Sequence, residues 1–149
     1  RWRVVRDSSE RQEEVPFLLR MPDGTSLTGR FDLLYLDHED LWHVVDYKTD
    51  RTDGSASDHV QTFYDLQEQA YGLAAVRVLH ERFAGVELNF LRTDEEVEWT
   101  PTPAAVQEAE SRLGEAAQSC AGALQADNFP KTEDLQRCLR CGYRATCRR

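Results

Sequence analysis

The order of apolar and polar positions divides the chain into a strand-rich opening and a helical remainder. Residues Glu14 to Met21 read Glu-Val-Pro-Phe-Leu-Leu-Arg-Met, a strand-like run closed by the turn signal Pro22-Asp23-Gly24. A second strand is predicted over Ser26 to Leu36. After the polar tip Asp37-His38-Glu39-Asp40 a third follows over Leu41 to Lys48, rich in Val, Tyr and Trp. These three make an antiparallel meander. A Gly/Ser/Asp segment from Thr52 to Asp58 then leads into a helix expected over Asp58 to Glu81. Its apolar set Val60, Phe63, Tyr64, Tyr71, Ala74, Ala75 and Val78 keeps three-and-four spacing, with Gln67 as the one polar member. Val86 to Leu91 and Glu95 to Thr100 read as a further strand pair around Arg92-Thr93-Asp94. Pro101-Thr102-Pro103 opens a second helix running to about Gln125, with Val106, Ala109, Leu113, Ala116, Cys120 and Leu124 on one stripe. The tail after Phe129-Pro130 has little periodicity.

At 149 residues the pattern fits one soluble domain, with no apolar run of membrane-spanning length. The chain opens Arg-Trp-Arg-Val, without an initiator Met or a charged-then-apolar leader, as expected of a piece of a longer protein whose compartment is the cytoplasm. The net charge of -9 is opposite to what a free-standing nucleic-acid binder needs, because such affinity comes largely from neutralising phosphates. Cations held between clustered carboxylates, or basic surfaces elsewhere in the longer protein, would have to supply it.

The chemistry concentrates in the second and third strands. Side chains alternate across a strand, so Asp46 and Lys48 share one face and Tyr47 takes the other. If the hairpin sets Asp32 opposite Asp46, all three charged groups meet on that face, whereas a one-residue slip separates them. An isolated Asp-x-Lys is commonly an edge ion pair. Here both acids sit in strands that are apolar on both faces, as in the interior of a sheet, where a carboxylate without a purpose is costly. Two such carboxylates repel unless a cation lies between them, and an oxygen-lined site suits Mg²⁺ or Mn²⁺. The set points to metal-assisted phosphodiester hydrolysis, with Lys48 orienting water or offsetting developing charge.

The order Gly29-Arg30-Phe31-Asp32, then Asp46-Tyr47-Lys48-Thr49, then Gln67-x-x-x-Tyr71 on the following helix resembles the RecB-type nucleases of the PD-(D/E)XK superfamily. With the upstream Glu14-Val-Pro-Phe strand the likeness covers roughly residues 14 to 75, and it is closest to the domains attached to RecB- and Add-type helicase–nucleases. It implies an α/β restriction-endonuclease-like fold, a mixed central sheet flanked by helices. It also implies a deoxyribonuclease of DNA recombination and repair, exonuclease favoured over endonuclease, with DNA and a helicase portion or subunit as partners and no membrane. The residues matching Asp32 and Asp46 bind the metal in that family, joined by the carbonyl matching Tyr47. The residue matching Lys48 is catalytic, and those matching Gln67 and Tyr71 orient the site and touch substrate. Such nucleases usually carry a His on a helix before the first strand, and nothing before Glu14 supplies one. His38, His43, His59 and His80 fall elsewhere and read as loop, sheet-face and helix-surface residues. A catalytically incomplete module that binds DNA or braces a partner is the rival reading.

The tail, residues 130 to 149, holds Cys138-x-x-Cys141-x5-Cys147, which is not the layout of a secreted disulfide framework. Three thiolates at this spacing suit one metal or cluster and leave one ligand missing. Cys120, on the apolar stripe, reads as a small buried hydrophobe. The same spacing closes the Add-type nucleases that hold a [4Fe-4S] cluster, so the resemblance implies such a cluster, ahead of zinc, as a structural staple.

Overall fold

The computed structural model describes residues 5, 7–52, 54–129, 131–145 and 147. Two compact units are distinguished, residues 1–116 and 117–149. The first holds strands β1 (Arg11–Arg20), β2 (Ser26–Leu36), β3 (Trp42–Lys48), β4 (Phe83–Phe90) and β5 (Glu95–Trp99). Its helices are α1 (Ala56–Phe63), α2 (Asp65–Leu79) and the first part of α3 (Pro103–Gln125). The second holds the remainder of α3 and a short α4 (Leu135–Arg140).

The strands form one mixed sheet in the order β1-β2-β3-β4-β5. Its opening is the expected antiparallel meander, and β4 then lies parallel to β3 while β5 returns antiparallel to β4. A parallel pair requires a long crossover, and α1 and α2 fill the connection. The turns follow their local chemistry. Gly24 takes φ +89 between β1 and β2, where Asp23 Oδ1 accepts the Thr25 N–H at 2.9 Å. Between β2 and β3 the Asp37 carboxylate accepts the N–H groups of Glu39 and Leu41 at 2.8 and 3.0 Å, folding the polar tip back on itself. Gly29 is dictated by packing, because a Cβ there would stand 2.4 Å from the Phe17 ring. That ring stacks on Phe31 at 4.6 Å.

The main core lies between the sheet and its helices, where Val44, Val86, Leu88 and Phe90 meet Leu73, Ala74 and Ala75 of α2 and Ala109 and Leu113 of α3. Ion pairs Arg112–Asp65 and Arg77–Glu110 join α3 to α2. The opposite face carries a smaller cluster of Leu33, Tyr35 and Val45. There His43 lies 2.9 Å from both Asp37 and Glu87, and Tyr35 donates to Glu87 at 2.9 Å, tying the β2–β3 hairpin to β4. Burial disfavours the His43 cation, but the hydrogen bonds and charges of Glu87 and Asp37 outweigh it and raise its pKa.

Several sequence expectations are corrected. The expected single helix over residues 58–81 is two helices broken at Tyr64, whose φ of -123 leaves the helical range, and regular helix ends at Leu79. Val78 faces solvent, as do Cys120 and Leu124, so the apolar stripe of α3 is buried only at Ala109 and Leu113. His59 is not on the helix surface: it is 8% exposed. The stretch before β1 contains no His, and of it residues 1–4 and 6 lie outside the described residues.

Candidate functional site

The site forms where the β2–β3 ladder opens. Pairing runs from Leu36↔Trp42 to Leu33↔Val45 and stops, although the same register continued by one step would set Asp32 opposite Asp46. Instead the Asp32 carboxylate takes the place of a ladder carbonyl and accepts the Tyr47 N–H at 2.8 Å. Phe31 and Leu34 both belong to the main core although they are three residues apart, so the pleat of β2 shifts by one position around Asp32 and Leu33. Asp32 is therefore freed from strict alternation and turned to the fork between the strands.

On β3, Asp46 and Lys48 share the helix-covered face, as the alternation requires. Both are buried, at 3% and 8% exposure, with Lys48 Nζ 2.5 Å from Asp46 Oδ2. The contact is an ion pair made at a fully buried carboxylate oxygen. Burial raises the Asp46 pKa, Lys48 opposes the rise, and the nearby Asp32 charge adds to it. Two acids thus stand close enough to repel, one of them buried.

Lys48 Nζ also donates to Gln67 Oε1 at 2.7 Å, and Gln67 Nε2 reaches the Tyr71 hydroxyl at 3.0 Å. Gln67 and Tyr71 are one helical turn apart on α2, so both point at the sheet. The Tyr71 ring meets Phe17 and Phe31 edge-on at 5.6 and 5.4 Å, which fixes its hydroxyl at the end of the relay. Burial raises the Tyr71 pKa, the Gln67 bond opposes this, and Asp46 and Asp32 add to the rise. The structure therefore brings Asp32, Asp46, Lys48, Gln67 and Tyr71 into one connected cluster. Asp32 and Tyr47 also line a neighbouring cavity of about 590 Å³ with Arg11, Glu13, Glu14 and Leu91.

Sequence reasoning missed three residues around Lys48. The Tyr64 ring lies under the ammonium, 4.1 Å from Nζ to the centroid, and its hydroxyl donates to Asp50 Oδ2 at 2.6 Å. His59 Nε2 is 3.3 Å from the same oxygen. A signal for Asp50 was present in the alternation Asp46, Lys48, Asp50; Tyr64 was hidden among the apolar positions of the helix.

The residues suit a divalent ion in kind. Asp32 and Asp46 are hard oxygen donors whose charges oppose each other, and a divalent ion between them would offset both. Among the described residues no group of three or more His, Cys, Asp or Glu side chains gathers to hold a metal, so protein side chains would provide only part of the shell. In the second unit Cys138, Cys141 and Cys147 line one cavity of about 650 Å³ with Lys131, Arg137 and Arg144. As placed these thiols do not make a ligand set.

The crystal structure of SSO0001 superposes with a TM-score of 0.58 at 17% identity, covering 98% of this chain and 64% of the other. That of a protein from Eubacterium rectale named as a candidate exonuclease gives a TM-score of 0.45 at 16% identity, over 95% and 63%. The chain thus spans less than two thirds of either structure. Among curated proteins none matches this sequence significantly. The model of the PD-(D/E)XK nuclease superfamily matches residues 1–148. With a mixed sheet that forks at Asp32 and presents Asp46 and Lys48 beside it, the chain belongs to the PD-(D/E)XK nuclease superfamily.

Proposed function

We propose that this chain is a metal-dependent deoxyribonuclease module that hydrolyses phosphodiester bonds, acting on DNA ends as part of a recombination and repair helicase–nuclease in the cytoplasm. The observation that carries the reading is the buried Asp46 carboxylate, close enough to Asp32 for their charges to oppose, with Lys48 2.5 Å from its Oδ2. One lysine cannot offset two neighbouring carboxylates, and a divalent ion between them would.

Superfamily nucleases use divalent ions such as Mg²⁺. Asp32, Asp46 and the Tyr47 carbonyl would hold Mg²⁺ or Mn²⁺, which when bound supplies Lewis-acid stabilisation of the phosphate and a more acidic water. Asp32 is pre-set for that task by the Tyr47 N–H, which fixes its carboxylate without consuming its second oxygen. Lys48 stands beside the reacting centre, where it would orient the attacking water or offset charge as the phosphorane forms. Gln67 limits where its ammonium can go, and Tyr71 fixes Gln67.

Cleavage of end-labelled linear DNA with and without EDTA tests this, alongside Asp46→Ala. Mg²⁺-dependent loss of label that disappears in the variant supports it. Intact DNA from a folded sample at every Mg²⁺ and Mn²⁺ concentration would favour a module that binds DNA or braces a partner.

A second reading concerns the tail alone, as a [4Fe-4S] or zinc staple. It is supported by three thiols lining one cavity, and needs a fourth ligand and some rearrangement. Iron, sulfide and zinc all absent from the purified chain would contradict it.

A further inference from the structure

Lys48 is held on three sides, and only two of them are hydrogen-bonded. An ammonium has three N–H donors. Asp46 Oδ2 and Gln67 Oε1 lie at 2.5 and 2.7 Å, and the third side faces the Tyr64 ring, well inside the range of a cation–π contact. The backbone below is equally fixed, since Lys48 pairs with Phe90 in the parallel ladder and its carbonyl accepts the Leu91 N–H at 2.9 Å. What remains free in a lysine is its long side chain, whose rotamers must be restrained if the cation is to stay at one point.

The ring that restrains it is itself locked. Tyr64 occupies the break between α1 and α2, and its hydroxyl is bonded to the Asp50 carboxylate at 2.6 Å, a charge-assisted contact. His59 is buried beside the same carboxylate and packs edge-on against Phe90 at 5.6 Å. The chain thus builds a dedicated seat for one face of an aromatic ring, and the object on that face is the Lys48 cation.

We propose that Tyr64 is a positioning residue for Lys48, held by Asp50 and His59, and that it keeps the ammonium beside the reacting centre when the Asp46 carboxylate is engaged elsewhere. This rests on the nuclease reading of the site. Without the ring the cation retains Gln67 but loses its third wall, and the lysine spends part of its time in rotamers that do not reach the phosphate. The effect is expected on turnover rather than on DNA affinity, because the contact that Tyr64 makes in the site is with Lys48.

The test uses the whole chain and the variants Tyr64→Leu, Tyr64→Phe and Asp50→Asn, each checked for fold by circular dichroism. The proton resonances of the Lys48 ε-methylene report the ring directly. They are expected upfield in the wild type and in Tyr64→Phe, and at ordinary lysine positions in Tyr64→Leu. On linear DNA with Mg²⁺, Tyr64→Leu is expected to lower kcat about tenfold with KM within about twofold. Tyr64→Phe, which keeps the ring and loses the Asp50 bond, should stay within about threefold of the wild type, and Asp50→Asn should match it. Ordinary lysine shifts in the wild type, or an unchanged kcat in Tyr64→Leu while the wild type turns over, overturns the role of Tyr64 alone. A wild type as inactive as Lys48→Ala instead removes the nuclease reading, and the positioning role with it.

Discussion

The two units carry motifs of similar brevity, Asp46-x-Lys48 in the first and Cys138-x-x-Cys141 in the second, and only the first is assembled into a cluster. The difference lies in what surrounds each motif. Asp46 and Lys48 belong to a central strand and pair with Leu88 and Phe90 of β4, so pleat and register decide where their side chains go. The three thiols sit on a six-residue helix and the turns after it, where Cys141 and Cys147 are exposed and no ladder fixes their directions. Charge divides the same way. Residues 1–116 hold twelve basic against twenty-four acidic residues, and residues 117–149 hold six against three. The acidic unit contains the two carboxylates that would need a cation, so its charge is in keeping with metal binding rather than with direct phosphate contact.

Substitutions sharpen this contrast, beginning with the largest effect. Asp46→Ala removes the buried oxygen donor and is expected to lower DNA cleavage by at least about 10³-fold, measured as initial rate in Mg²⁺. Lys48→Ala is expected to cost about 10²- to 10³-fold in kcat, the range for losing one donor aimed at developing charge. A loss confined to KM would place Lys48 in binding instead.

A third test separates a working buried acid from an idle one. Glu68 on α2 is 8% exposed, with an oxygen that receives no hydrogen bond among the described residues. Burial, and then the Asp65 charge, raise its pKa from 4.5 to about 7. The folded chain therefore binds that proton more tightly than the unfolded chain, so stability declines as pH rises from 4.5 through about 7 and stays lower above it. Glu68→Gln is expected to raise urea stability at pH 8 by up to about 3 kcal/mol and to change nothing at pH 4. Equal effects at both values would mean that its charge is not the cost.

The smallest effect is expected in the second unit. Replacing Cys138 and Cys141 together by Ser should leave the rate of DNA cleavage within about twofold, as substitutions away from a site usually do. A loss as deep as that of Asp46→Ala would erase the contrast and tie the tail to catalysis.

Much of the first unit was legible because strands have a short, rigid period. The meander, the shared face of Asp46 and Lys48, and the turn at Pro22-Asp23-Gly24 follow from alternation and turn chemistry alone. Gln67 and Tyr71 followed from helical spacing together with a family likeness. Less could be read where tertiary contacts decide. The break at Tyr64 is set by a ring drawn to Lys48 and Asp50 from different elements, and apolar spacing continues straight through it. Burial of His59 depends on Phe90 across the crossover. The parallel pairing of β3 with β4 is a long-range choice that no local pattern encodes. The stripe on α3 kept its period beyond Leu113, yet Cys120 and Leu124 are exposed, because periodicity reports a face and not what covers it.

The central claim is that the acids at the fork of the sheet hold a divalent ion, and calorimetric titration of Mn²⁺ into the wild type and Asp46→Ala tests it most directly. The account predicts one saturable event in the wild type that is lost in the variant while both remain folded. Absence of saturable binding in a folded wild type, or equal binding in the two proteins, would contradict it.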